Sequence, residues 1–231
     1  TITNNVIFAN NWRTYTDYYK GVGVYFMDTE NRSRFALNSI INNKVFFGES
    51  DEYGPLTDGE RNYIAQNIQG GGYYGSTRID SCTISNNSAG YGGGVYFPLY
   101  EGGQNSSGNS YNGDRFNRYS EFDINFSTIT NNTAFFNYGA VFSPSKVINT
   151  ILVGNKVIWD GQFNEDATGG VFSDNSWALK LSDLRFSNIY NNTGYEVRLN
   201  TAFDVNGTYV WWDNRSDQVG IDENIYDAFE N

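Results

Sequence analysis

Residues 83–96 read Thr-Ile-Ser-Asn-Asn-Ser-Ala-Gly-Tyr-Gly-Gly-Gly-Val-Tyr, and two phrases inside this stretch recur along the chain. The first is an aliphatic residue followed three positions later by Asn. It stands at Ile2/Asn5, Ile40/Asn43, Ile84/Asn87, Ile129/Asn132, Leu152/Asn155 and Ile189/Asn192. The residue before that Asn is also Asn in every copy but one, where Gly154 stands. The second phrase is a small residue, an apolar residue and an aromatic: Gly23-Val24-Tyr25, Gly72-Tyr73-Tyr74, Gly94-Val95-Tyr96, Ala140-Val141-Phe142 and Gly170-Val171-Phe172. A sixth copy, Glu196-Val197-Arg198, is degraded.

The spacing points to stacked turns. Asn87 to Val95 spans 8 residues and Val141 to Asn155 spans 14, so the shortest complete turn is about 22 residues. Longer intervals insert residues at a few places, which is how corner loops enter a coil without disturbing its strands. The expected loops are 6–21, 44–70, 98–121 and 156–168. Eight residues before the repeat Asn stand Phe35, Ile79, Ile124, Val147 and Leu184, all apolar; one position earlier stand Arg34, Arg78, Asp123, Lys146 and Asp183, all charged. Adjacent columns of opposite character mark a strand with one buried face. The parity flips before the aliphatic residue of the Asn phrase, so a bend separates two strands there.

These columns predict an all-β fold: a single-stranded right-handed parallel β-helix of about six turns with three strands per turn, long corner loops and an aromatic C-terminal cap. At the usual strand spacing, six turns make a core of roughly 30 Å. Residues 1–200 hold the repeats, and 201–231 form a closing strand and cap of the same domain. Asn5, Asn43, Asn87, Asn132, Asn155 and Asn192 should stack at a corner, tolerating its left-handed backbone and hydrogen-bonding along the rod. The charged column should be a solvent-facing ion ladder. Tyr25, Tyr74, Tyr96, Phe142 and Phe172 should point outward as an aromatic stripe, an exposed apolar patch unless the chain's own loops, another copy or a glycan covers it. That stripe is the candidate binding surface.

Composition narrows the function. The net charge of −11 repels phosphate backbones, so nucleic acid is not an expected partner. No apolar run reaches the roughly 18 residues of a membrane helix, so membrane insertion is not expected. The chain opens at Thr1, which reads as a mature or trimmed product. The sequence has no histidine, the commonest general base and zinc ligand, and no metal site is expected. The lone Cys82 reads as a small core residue. No cofactor is expected beyond weak calcium binding by the loops 49–60 and 213–223, which are rich in Asp and Asn.

The phrases Thr83-Ile84-Ser85-Asn86-Asn87 with Gly93-Gly94-Val95, and Thr128-Ile129-Thr130-Asn131-Asn132 with Gly139-Ala140-Val141, resemble the repeats of polymorphic outer-membrane proteins and of adhesin-like β-helix proteins of bacteria and methanogenic archaea. The tail Trp211-Trp212-Asp213-Asn214, followed by Ile221 to Asp227, resembles their closing segment, with Val210 and Asp213 where that segment usually has Asn and Gly. The resemblance implies an extracellular or cell-surface protein, often one module of a longer chain.

The expected function is therefore an extracellular structural or adhesin-like surface protein that self-assembles into a filament, sheath or layer. Its partners would be other copies of itself, neighbouring surface proteins or glycans. Two alternatives stand beside it. One is a polysaccharide lyase or hydrolase, for which Asp80 and Asp123 are the best available carboxylate pair. The other is a phage receptor-binding spike. Of eight Asn-x-Ser/Thr positions, Asn31, Asn105, Asn206 and Asn214 are candidate glycosylation sites, whereas Asn86 and Asn131 fall on core strands and are poorer ones.

Overall fold

A computed structural model describes residues 1–8, 19–26, 34–46, 67–98, 122–159, 162–163, 168–173, 181–199, 209–210 and 225–227. All regular structure there is strand, and nearly all pairing is parallel. Sheet I carries the Asn phrase: Ile2–Thr3, Ser39–Ile41, Thr83–Ser85, Thr128–Thr130, Ile151–Val153 and Asn188–Tyr190. Sheet III carries the Gly-Val-aromatic phrase, from Val24–Phe26 through Tyr73–Gly75, Val95–Tyr96, Val141–Phe142 and Val171–Ser173 to Val197–Leu199, with Ile225–Asp227 added at its edge. Sheet IV carries the charged column: Arg34–Ala36, Arg78–Asp80, Asp123–Asn125 and Lys146–Ile148. The registers align Ile2, Ile40, Ile84, Ile129, Leu152 and Ile189. They also align Val24, Tyr73, Val95, Val141, Val171 and Val197.

A further set of strands was not expected. Val6–Phe8 pairs with Lys44–Phe46. Tyr19–Lys20, Ile68–Gln69, Ser88–Tyr91, Thr133–Asn137 and Lys156–Trp159 form sheet II, to which Gln162–Phe163 adds an antiparallel edge. The parallel strands thus fall in four larger sheets where three sets were expected, and the loops expected at 6–21, 44–70 and 156–168 contain strands at their ends. The physical reason is visible two residues past Asn43, Asn87, Asn132 and Asn155, where Val45, Ala89, Ala134 and Val157 are buried. Alternation continues beyond the corner, so pairing continues too. Of the loop expected at 98–121, only Pro98 falls among the described residues.

From Ile2 to Val153 the strands visit sheets I, II, III and IV in that order four times and return to I, with Val6–Phe8 and Lys44–Phe46 placed after sheet I in the first two rounds; from Lys156 onward the strands fall in sheets II, III, I and III. The main core lies among sheets I, III and IV, where Ile84, Ile129, Val95, Val141, Ile79 and Ile124 are fully buried. Burying each such side chain stabilises by about 1.5–3 kcal/mol.

Three rows of left-handed residues turn the corners. Directly after the sheet I strands they are Asn4, Asn42, Asn86, Asn131, Gly154 and Asn191, with φ of +54° to +67°. This corrects the expectation for the repeat Asn: the residue before it takes the left-handed corner, and Gly154 substitutes naturally because both Asn and Gly adopt that conformation at low cost. Between sheets IV and I the row is Leu37, Ser81, Phe126, Asn149 and Phe186, with φ of +48° to +57°. Ahead of the sheet III strands it is Gly21, Gly70, Gly92, Tyr138 and Gly194.

The repeat Asn side chains turn inward. Each backbone N–H and Nδ2 donates to the Oδ1 of the Asn on the next pass, from Asn5 to Asn43, Asn87, Asn132, Asn155 and Asn192, at 2.8–3.1 Å. The second Nδ2 hydrogen is used as well: Asn132 donates it to the Ile84 carbonyl at 3.0 Å. Asn43, Asn87, Asn132 and Asn155 are fully buried, while Asn5 is exposed. Asn132→Ala leaves the Asn87 backbone N–H and one of its Nδ2 hydrogens without an acceptor and removes one of the two hydrogen bonds to the Asn155 oxygen, and should lower the unfolding free energy by roughly 3 kcal/mol or more. Asn5→Ala at the exposed end should cost less than about 1 kcal/mol. Urea unfolding of both variants checks the gradient; equal losses would contradict it.

Candidate functional site

Three features could contact another molecule: the aromatic stripe, the charged column and the corner between sheets IV and I. The stripe is a continuous stack. Ring centroids are 5.4 Å apart for Tyr25–Tyr74, 5.5 Å for Tyr74–Tyr96, 4.4 Å for Tyr96–Phe142 and 5.7 Å for Phe142–Phe172, with planes within 17° of parallel. Most of it is covered by the chain itself. Tyr74, Phe142 and Phe172 are only 3–4 % exposed, and Tyr25 alone is half exposed. Part of the cover is Tyr138, whose ring lies 4.7 Å from Phe142 and 4.1 Å from Phe172. Tyr138 occupies a corner position that is Gly21, Gly70 and Gly92 in the preceding passes, and from there its ring folds over the stack.

The charged column is in register across sheet IV, with Arg34 beside Arg78, Asp123 beside Lys146, and Lys146 bridged to Asp183. Its bases are partly or well exposed, but Asp123 and Asp183 are buried, which corrects the solvent-facing ladder. Asp123 Oδ2 lies 3.8 Å from both Arg78 Nε and Lys146 Nζ, beyond hydrogen-bond reach, and its buried Oδ1 accepts no hydrogen bond. Burial therefore pushes the Asp123 carboxyl up despite the two cations. For Asp183, burial also pushes upward. The hydrogen bonds of Arg185, from its backbone at 3.0 Å and its guanidinium at 2.7–3.0 Å, outweigh it together with the guanidinium charge, and the carboxyl ends below its ordinary value. Asp80, the other carboxylate of the expected pair, meets Arg34 at 2.8 Å.

The third feature escaped the sequence reading. Leu37, Phe126 and Phe186 are 84 %, 64 % and 52 % exposed at left-handed corner positions. Ser81 and Asn149 alternate with them, so the bulky residues recur every second pass, about 10 Å apart. Phe186 already carries the ring of Tyr209, stacked at 5.2 Å. The available signal was position: all five residues stand six before the repeat Asn, but their types share no chemistry.

The remaining expected sites divide. Cys82 is buried, its thiol donates to the Asp80 carbonyl at 3.2 Å, and burial raises its pKa, as for an inert core thiol. Asn86 and Asn131 are exposed at corners instead of being enclosed by the core strands. Asn31, Asn105, Asn206 and Asn214, the segments 49–60 and 213–223, and Trp211-Trp212 lie outside the described residues. Among the described residues no cluster of three metal-ligating side chains occurs.

The two buried aspartates should respond to pH with opposite signs. Asp123 binds its proton more readily folded than unfolded, so ionisation costs stability as pH rises through its raised folded pKa. Asp123→Asn should raise the melting temperature at about pH 7, with the gain vanishing below the ordinary carboxylate range. Asp183 contributes stability above the unfolded pKa, and that is lost as pH falls through its depressed folded pKa. Asp183→Asn should cost about 1 kcal/mol at neutral pH, allowing for the half-exposed Arg185, and nothing in strong acid. Thermal melts of both variants across this range check the signs; parallel pH profiles would contradict them.

No protein-family model, curated protein or solved structure matches this chain.

Proposed function

We propose that the chain winds as one right-handed parallel β-helix of about six turns, closed by residues 201–231, and serves as an extracellular structural or adhesin-like surface protein. The repeated passage through sheets I to IV supports the coil, and the handedness follows the strong right-handed preference of parallel crossovers. Its partners are other copies of itself, neighbouring surface proteins or glycans, met side-on along the corner row.

The observation that carries this reading is the exposure of Leu37, Phe126 and Phe186 in left-handed backbone. A bulky L-residue there is strained by about 1–2 kcal/mol, and Asn or Gly would relieve it. Exposed apolar surface adds a further liability. Retaining both costs along one edge suits a contact surface. The acidic net charge keeps such rods apart except where these side chains meet a partner.

A second reading, a polysaccharide-active enzyme, draws on the raised carboxyl of Asp123, since a general acid needs that direction of shift. It predicts cleavage of acidic or neutral polysaccharide that is abolished by Asp123→Asn. The pairing of Asp80 with Arg34 and the burial of Asp123 favour the structural reading.

The joint replacement Leu37→Asn, Phe126→Asn and Phe186→Asn should raise stability, by up to about 1 kcal/mol at each position. It should also abolish self-association in light scattering, or glycan capture on an array, whichever the parent displays. A triple variant that associates as the parent does would overturn the contact role of this edge.

A further inference from the structure

The outer face of sheet I is free of charge. Its outward residues form two columns: Ser39, Thr83, Thr128, Ile151 and Asn188, and Thr3, Ile41, Ser85, Thr130, Val153 and Tyr190. All are partly or well exposed. Two left-handed rows flank them, one mostly of exposed asparagines from Asn42 to Asn191 and one holding Leu37, Phe126 and Phe186. None of these positions is charged, although the chain carries 15 basic and 26 acidic residues. Among the described residues, charges begin only beyond the flanks, at Asp80 and Arg185 on one side and Lys44 and Lys156 on the other. On an acidic protein this is ground where a second acidic copy meets no like charge.

The face is also complementary to itself. A half-turn about an axis parallel to the strands lays two such faces together, keeps each column over its own copy and reverses the order of the passes. The flanking row alternates large and small as Leu37, Ser81, Phe126, Asn149 and Phe186. An axis midway between the paired strands Thr83–Ser85 and Thr128–Thr130 therefore sets large over small, with Leu37 over Asn149 and Phe126 over Ser81. In the same register the outward columns meet like with like: Ile41 faces Val153, Ser85 faces Thr130 and Thr83 faces Thr128. A slip of one pass sets Phe126 against Leu37 or against itself, and puts Ile41 over Thr130 or Val153 over Ser85. Six strands and five residue steps give a face of roughly 29 by 17 Å, or about 500 Å² on each copy. The total of about 1,000 Å² lies at the low end of specific interfaces, which suits reversible pairing.

We propose that the outer face of sheet I is a docking surface for a second copy of this chain, related to the first by that two-fold axis. The alternation in the flanking row then has a purpose. Bulky residues on every pass would collide with their own copies, whereas bulky residues on every second pass fill the gaps that Ser81 and Asn149 leave in the partner. A contact that uses the same patch on both copies closes on itself, so the product is a dimer and not a growing filament. The proposal rests on the surface-contact reading given under Proposed function and narrows the partner to the chain itself.

Sedimentation equilibrium of the full chain should show monomer and dimer and no larger species. Ser85→Lys and Thr130→Glu each bury an unpaired charge in the pairing and should weaken dimerisation at least about tenfold. Mixing the two variants should restore it, because the new lysine of one copy then faces the new glutamate of the other, while Thr130 of the first meets Ser85 of the second as in the parent. Both positions are partly exposed, so the circular dichroism of each variant should match the parent. If either variant fails to fold, Thr83→Lys and Thr128→Glu repeat the test one column over. A parent that stays monomeric up to its solubility, growth beyond the dimer, or a mixture no tighter than either variant alone would overturn the pairing. A monomeric parent leaves the surface reading to be tested separately by glycan capture. If both charge variants dimerise as the parent does but the joint replacement of Leu37, Phe126 and Phe186 by Asn does not, the sheet I face is overturned and the contact role of the corner row stands. Dimerisation that survives all three would overturn both.

Discussion

The chain of buried asparagine amides constrains the rest of this structure. A buried amide without partners costs about as much as a protein of this size can spare from a few kcal/mol of net stability, so each asparagine must meet the next. A slip of one residue between passes would break two hydrogen bonds to the neighbouring Oδ1 and turn an aliphatic column toward water. The ladder and the aliphatic columns thus specify the same register independently. Agreement of this kind lets short strands of two to five residues stack reliably despite the long insertions between them.

The ladder also has a direction. Donors point toward the C-terminal passes throughout, so one end presents oxygen and the other presents N–H. Glu196 accepts from the last donors of the described ladder, and Asn5 at its other end is exposed. The polarity makes the two ends chemically different although every internal interface is alike. The sides differ again: sheet III buries its outward aromatics in a stack, while the corner before sheet I holds Leu37, Phe126 and Phe186 in water.

Much of the architecture could be read from the chain because stacked columns repeat their chemistry. Ile2 through Ile189 and Val24 through Val197 are in register as their phrases align them. Sheet II was hidden because its inward column mixes Val157 with Ala89 and Ala134, small residues that carry a weak strand signal. The left-handed row with Leu37, Ser81, Phe126, Asn149 and Phe186 was hidden for the opposite reason: no residue type there announces the conformation. Alternation placed the aromatic stripe on the outer face of sheet III, but alternation says nothing about what lies above a sheet, and Tyr138 covers part of it. Local charge likewise marked Asp123 as polar without revealing its burial. Glu196 looked like decay of a repeat, but its carboxylate accepts from the Asn192 backbone N–H and Nδ2.

The most direct test of the central claim is detection of the ladder hydrogen bonds by nuclear magnetic resonance, using scalar couplings transmitted across them. The account predicts correlations from the backbone N–H of Asn43 to the side-chain carbonyl carbon of Asn87, and onward from Asn87 to Asn132, Asn132 to Asn155 and Asn155 to Asn192. Correlations in the reverse sense, or to backbone carbonyls in place of the asparagine side chains, would contradict it.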